Sequence, residues 1–168
     1  TTLFRSEQVD IGTTVLGCRW EVPFFINAMT GGTQTTAAIN AGLAEAAAEA
    51  GVAIACGSQH VALRDPKRAD GFHVIRHRAP DAFVLANVGP TVSPQEALQA
   101  VEMLEANALQ IHLNAAQELV MPEGDRDFTG WSETIAGIVA AVPVPVVVKE
   151  VGFGLSRRTI EALEIGRA

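Results

Sequence analysis

The sequence contains no tyrosine, only two cysteines, and aromatic residues at just 5%. Charged residues reach 18%, against roughly 25% in an average soluble domain. Each shortage excludes something. Cys18 and Cys56 cannot build a disulfide framework, and Cys56 sits in an apolar run where a small buried residue is expected, so a reducing, cytoplasmic setting is the expectation. Lys plus Arg number 12 against 19 Asp plus Glu, a formal charge of -7, which argues against the basic stripe of a nucleic-acid surface. The longest apolar stretch, Val139 to Val148, is broken by Pro143 and Pro145 and falls short of the roughly 20 residues a membrane span needs. The opening Thr1-Thr2-Leu3-Phe4-Arg5-Ser6-Glu7 has neither a basic n-region nor an apolar h-region, so no signal peptide is visible there.

What is present is dense: 48% of the 168 residues are hydrophobic, with 15 Gly and 8 Pro, a composition that suits one compact core. Five short apolar runs, Val22 to Ala28, Val52 to Gly57, Phe83 to Gly89, Ala108 to Asn114 and Val144 to Glu150, alternate with helical patterns. That alternation predicts parallel strands joined by crossover helices, and the near-continuous hydrophobicity of the runs suits strands covered on both faces. Helices are predicted over Thr35 to Ala50, ended by Gly51, and from the capping box Ser93-Pro94-Gln95-Glu96 to Ala106. Two more are predicted over Ser132 to Ala141 and Arg157 to Glu164, with Ser156 as cap, and a short one within Asp65 to Pro80.

Polar residues and glycines collect at the carboxyl ends of these runs. Met29-Thr30-Gly31-Gly32, Gly57-Ser58-Gln59, Asn87-Val88-Gly89, His112-Leu113-Asn114 and Lys149-Glu150-Val151-Gly152 all stand there. In an α/β barrel and in an open doubly wound sheet alike, that is the face where ligands bind. Strand alternation places Gln110, His112 and Asn114 on one face and Ile111 and Leu113 on the other, and gives Lys149 the parity of Val147. Polar groups aimed into a core need partners, each costing on the order of 1 to 3 kcal/mol without one. A satisfied buried network and a ligand site are both open on that pattern. A lysine at the inner rim of a sheet calls for an anion, whether a phosphate, a carboxylate or an anionic cofactor ring.

The following acidic stretch could hold Mg2+, which prefers carboxylate oxygen and bridges to phosphates. Glu118 is the stronger candidate ligand; Glu123, Asp125 and Asp127 alternate as a metal trio would, but also as an ordinary acidic surface loop does. The glycine pairs are neither a Walker loop nor a GxGxxG fingerprint, and no HExxH, CxxC pair or GxSxG is present.

With those residues in view, the sequence resembles the type 2 isopentenyl diphosphate isomerases, FMN-dependent barrel enzymes of isoprenoid synthesis. The matching stretches are Met29-Thr30-Gly31-Gly32, Gly57-Ser58-Gln59, Ala86-Asn87-Val88-Gly89, Gln110-Ile111-His112-Leu113-Asn114 running to Gln117-Glu118, Met121 to Phe128, and Val148 to Gly154. The resemblance implies a TIM (β/α)8 barrel, of which about the first five β/α units lie in this chain as a single incomplete domain over 1–168. The family's basic N-terminal segment and later strands are absent from it. A full barrel takes about 250 residues.

By the same resemblance, isopentenyl diphosphate is isomerised to dimethylallyl diphosphate with reduced FMN as acid and base, NADPH as flavin reductant, and Mg2+ on the diphosphate. Met29, Thr30, Gly31, Ser58, Asn87 and Lys149 are implied as FMN contacts, His112, Asn114 and Gln117 as substrate contacts, and Glu118 as the Mg2+ ligand. Gln117 and His112 are the implied catalytic residues; Gln117, having no useful pKa, would orient a proton rather than titrate. His60 stands where some members carry Arg. A homo-oligomer is the expected assembly. Two other readings compete: another FMN barrel such as a hydroxy-acid oxidase, and a non-catalytic phosphate-binding module on an open five-stranded sheet.

Overall fold

The computed structural model describes residues 9–122 and 124–164. The first seven residues, read above for a leader, and Glu123 lie outside them. A small antiparallel hairpin comes first, β1 (Thr13–Val15) and β2 (Cys18–Trp20), turned through Leu16 and Gly17, both at positive φ. Five parallel strands follow in simple sequential order: β3 (Phe25–Ile26), β4 (Ala53–Ala55), β5 (Val84–Val88), β6 (Ala108–His112) and β7 (Val146–Lys149). All five lie inside the apolar runs that predicted them.

The connecting helices are α1 (Gln34–Ala50), α2 (His60–Arg64), α3 (Asp70–Arg78), α4 (Pro94–Leu104), α5 (Ala115–Val120), α6 (Trp131–Ala141) and α7 (Arg157–Glu164), with a 3-10 turn at Pro66–Arg68. Their ends follow local chemistry. Gly51 closes α1 in the left-handed conformation at φ 65°, where a side chain would be strained. Ser93 and Glu96 form the reciprocal capping box of α4, and the Ser156 hydroxyl accepts the Thr159 N–H at the head of α7. Helix α4 stops at Leu104, two residues before the predicted Ala106, because Glu105 turns left-handed at φ 45°.

The sheet has two differently furnished faces. Ile54, Val84, Ala86, Val88, Leu109 and Ile111 pack outward under the helices with Phe72, Ile75, Leu104 and Ile138. On the inner face, Ala53, Ala55, Leu85 and Ala108 meet Leu16, Trp20, Phe25 and Phe83. Trp20 packs edge-on against Phe25 and Phe83 at ring-centroid distances of 5.7 and 5.4 Å, so the hairpin covers the amino-terminal half of that face. The carboxyl half is left to the polar residues.

The expected TIM (β/α)8 barrel is corrected by this topology. The sheet of the described residues is open: β3 and β7 lie at opposite edges and do not pair with each other, while closure takes eight strands. What forms is a five-stranded parallel sheet with a two-stranded antiparallel sheet beside it. No helix of the described residues is long and apolar enough to cross a membrane.

Candidate functional site

Strand alternation and register assemble the site at the carboxyl ends of β4 to β7. Asn87 stands opposite Gln110, Gln110 opposite Val147, and His112 opposite Lys149. Gln110, His112 and Lys149 therefore share the inner face, as the parity of their strands predicted, while Leu113 packs against the outer core.

A polar cavity of about 570 Å³ opens there, lined among others by Ser58, His60, Arg64, His112, Asn114 and Glu118. Its charges are distributed by element: α2 brings the bases His60 and Arg64, one helical turn apart, while Glu118 of α5 and Asp125 bring carboxylates. The Glu118 carboxylate accepts the Asp125 N–H at 2.9 Å, which ties the acidic loop to α5. Glu96 also borders the cavity, but its carboxylate is held by the Ser93 N–H and hydroxyl at 2.7 and 2.8 Å, bonds that keep it below the usual carboxylate range. Burial pushes the His60 imidazole below its ordinary value, and the Arg64 guanidinium pushes it further.

His112 is pushed down in the same way, first by burial and then by the Lys149 ammonium, while the nearby Val88 backbone opposes both. Its Nδ1 lies 3.0 Å from Asn87 Oδ1. Asn87 is buried and fully engaged: its Nδ2 donates to the Cys56 carbonyl and its backbone N–H donates to Gln59 Oε1. Gln59, wholly buried, donates in turn from Nε2 to the Ala100 carbonyl of α4 at 2.9 Å. The Cys56 thiol also meets Gln59, and burial pushes it well above its ordinary value, so it is an inert core group.

A second cavity, about 500 Å³, lies on the inner face between β3 and β7 and is lined by Phe25, Asn27, Gln110, Val147, Lys149 and Gly152 among others. Gln110 is buried there with its Oε1 unpartnered, and Lys149 donates to the Glu150 carbonyl at 2.7 Å.

Not every residue expected at the site meets these cavities. Met29 is exposed. The Thr30 hydroxyl donates to Asn40 Oδ1 at 2.6 Å, and its carbonyl accepts the Gly57 N–H, which ties the Met29-Thr30-Gly31 turn to the end of β4. Gly31 lies against Phe72, whose ring a Cβ would meet at 2.4 Å, so this glycine answers to core packing. Gln117 is exposed; it bonds the Asn114 amide and donates to Met121 Sδ at 3.2 Å. Asp125 and Asp127 spend their carboxylates on turns, accepting from the Asp127 N–H and from Thr129 respectively, and no group of three potential metal ligands occurs among the described residues. Sequence reasoning missed Arg64 and Gln59 as functional residues. The i, i+4 spacing of His60 and Arg64 was the available signal for the first, whereas nothing in the sequence marks Gln59 as the support of Asn87.

No family model matches the chain. It is 59% identical over 156 residues to an isopentenyl-diphosphate delta-isomerase of Kitasatospora griseola, covering 93% of this chain and 43% of that protein. Proteins of the same name from Nocardia farcinica and Listeria monocytogenes are 54% identical over 153 residues and 51% over 160, with 42% and 45% of their lengths covered. Among solved structures, the universal stress protein from Archaeoglobus fulgidus superposes with a TM-score of 0.28 at 14% identity, over 74% of this chain and 96% of that one, too loosely to speak for a shared fold. The type 2 assignment implied by the resemblance is corrected accordingly. The relatives' name carries neither a type nor a flavin, and the eight-stranded barrel that goes with that type is not formed by the described residues. Along almost all of its own length, and across less than half of theirs, the chain is similar to proteins named isopentenyl-diphosphate delta-isomerase.

Proposed function

We propose that this protein isomerises isopentenyl diphosphate to dimethylallyl diphosphate in the cytoplasm, with the diphosphate bound as its Mg2+ complex in the polar cavity at the strand ends. The observation that carries the reading is the charge layout of that cavity, bases on α2 facing carboxylates on α5 and the loop beyond it. A magnesium diphosphate needs both: cationic donors for its free oxygens and a carboxylate for the metal. Arg64 serves the first requirement and Glu118 the second, while the His60 imidazole, the Ser58 hydroxyl and the Asn114 amide offer neutral hydrogen bonds.

The reaction itself relocates a proton. One C–H bond forms at the terminal methylene and one breaks at the methylene next to the double bond, so no net oxidation occurs. None of the side chains lining the cavity forms an obvious acid and base pair for that work. The inner-face cavity fits a flat, polar-edged ring in its donor set: Gln110 presents a buried, unpartnered acceptor and Lys149 a cation on the neighbouring strand. We therefore assign FMN to that face, with NADPH as its reductant in solution; when bound and reduced, the flavin supplies the proton donor and acceptor. Lys149 would stabilise negative charge on the ring and Gln110 would meet its edge, while Asn87 beside Gln110 is already bonded to the Cys56 carbonyl and His112. Thr30 ties the Met29-Thr30-Gly31 turn to the end of β4, and Ser58 lines the neighbouring polar cavity. Gln117 orients the reacting group through the Asn114 amide it already holds.

Incubating the purified protein with isopentenyl diphosphate, Mg2+, FMN and NADPH should yield dimethylallyl diphosphate. Absence of product with every component supplied would overturn the reading. Lys149→Ala should weaken FMN binding at least tenfold, on the order of 1.4 kcal/mol, as measured by flavin fluorescence; unchanged affinity removes Lys149 from the cofactor.

A further inference from the structure

We infer that Gln59 is a positioning residue that acts through Asn87 to hold His112 as the tautomer protonated at Nδ1, so that neutral His112 meets the polar cavity only as a hydrogen-bond acceptor. The inference deepens the proposed function and rests on it for the claim that the cavity is where the reaction occurs. Its structural part stands on a chain of hydrogen bonds in which every orientation is dictated by a backbone group of known polarity.

The chain begins at the Ala100 carbonyl, which can only accept. It takes the Nε2 donor of Gln59, so Gln59 Oε1 must face the other way, and there it accepts the backbone N–H of Asn87 at 2.9 Å. The backbone of Gln59 returns the contact, its N–H donating to the Asn87 carbonyl. Asn87 is thereby locked at the end of β5, and its own amide is oriented by a second backbone acceptor. Its Nδ2 donates to the Cys56 carbonyl at 3.1 Å, which leaves Oδ1 toward His112.

An amide oxygen cannot donate. The ring nitrogen 3.0 Å from it, His112 Nδ1, must carry the proton, and in the neutral ring Nε2 then carries a lone pair. The nearby Val88 backbone favours protonation of the ring, but the Asn87 contact is the one with hydrogen-bond geometry. Nε2 lies over Gly89, where a Cβ would approach it to 3.7 Å, and Gly89 and His112 both line the polar cavity.

The consequence is chemical. A phosphate oxygen wants a donor, which neutral His112 in this state does not offer at Nε2. The group it faces is a donor, such as a ring N–H or a metal-bound water, and the diphosphate is left to Arg64 and His60. Gln59 touches none of these groups, so its influence runs wholly through the Asn87 backbone, which it fixes at the end of β5.

The test is the nitrogen NMR of 15N-histidine-labelled full-length protein at mildly alkaline pH, with the His112 signals identified by their loss in His112→Gln. In the wild type, Nδ1 should resonate as a protonated, pyrrole-type nitrogen and Nε2 as a pyridine-type one; the reverse assignment overturns the inference. Gln59→Met keeps the shape and removes the side-chain bonds to the Asn87 N–H, the Ala100 carbonyl, the Cys56 thiol and the Met103 sulfur, and should turn the single tautomer into a mixture. Gln59→Glu, neutral when buried, can accept from the Asn87 N–H and donate to the Ala100 carbonyl, and should restore the wild-type pattern. A folded Gln59→Met with an unchanged pattern, or a Gln59→Glu protein with a mixed one, refutes the positioning role, and the latter holds even where Gln59→Met fails to fold. Turnover is not read in this experiment, so its failure is distinct from failure of the isomerase assay.

Discussion

At His112 and His60 the environment sets the pH behaviour of the molecule. Both imidazoles sit below their ordinary value of 6.5 in the folded chain, chiefly through burial, and recover it when the chain unfolds. Between the folded and unfolded values the unfolded state therefore holds more protons. The stability gained by keeping these rings neutral is complete above about pH 6.5 and is lost as the pH falls through their folded values. His112→Gln should flatten the fall in urea-unfolding stability below that pH; a slope identical to the wild type would show that His112 does not contribute. Gly57 makes a steric demand instead. A Cβ there would stand 2.2 Å from the Thr30 carbonyl that its N–H now bonds. Gly57→Ala should cost about 1 to 3 kcal/mol in thermal unfolding, since one of two backbone segments must move. An unchanged midpoint would refute that close approach.

Elements differ in how openly the sequence announces them. The five parallel strands were legible because each is a bounded apolar run, and α1, α4, α6 and α7 because each has a cap or an apolar period. The hairpin was not. Its two-residue turn puts Leu16 at φ 51° ahead of Gly17, and leucine is far from the Asn or Gly that normally flags such a turn. Helices α2 and α5 span five and six residues, too few to show a period, yet they carry His60, Arg64, Gln117 and Glu118. So the strand side of the site and Glu118 were legible, whereas the two short helices themselves, Arg64 and the buried support beneath Asn87 were not. Arg76 of α3 escaped notice for a similar reason. Its guanidinium donates to the carbonyls of Leu104, Ala79, Pro80, Ala82 and Glu105 and to Asn107 Oδ1, fastening the ends of α3 and α4 to the start of β5. Arg76→Met leaves those acceptors without a donor and should destabilise the protein by about 2 to 4 kcal/mol in denaturant unfolding. A loss under about 0.5 kcal/mol, the range of an ordinary surface change, would contradict that role.

For the whole molecule, the hairpin packed on the amino-terminal half of the inner face makes that end apolar and leaves the polar groups at the other. Edge strand β7 pairs only with β6 among the described residues, and an apolar groove of about 550 Å³ runs between α6 and α7 over its outer face. Expressed alone, the 168-residue chain should self-associate as its concentration rises, because an unpaired strand edge and an exposed apolar face both recruit partners. A strictly monomeric profile in sedimentation velocity would show the edge to be protected. The central claim, that the polar cavity binds a magnesium isoprenoid diphosphate for isomerisation, is tested most directly by following isopentenyl diphosphate by proton NMR with Mg2+, FMN and NADPH present. The account predicts that the dimethylallyl methyl signals grow in with the wild type and slow at least tenfold in Glu118→Gln, a change of about 1.4 kcal/mol in the barrier. A wild type that leaves the substrate unchanged, or a Glu118→Gln protein that turns over at the wild-type rate, would contradict it.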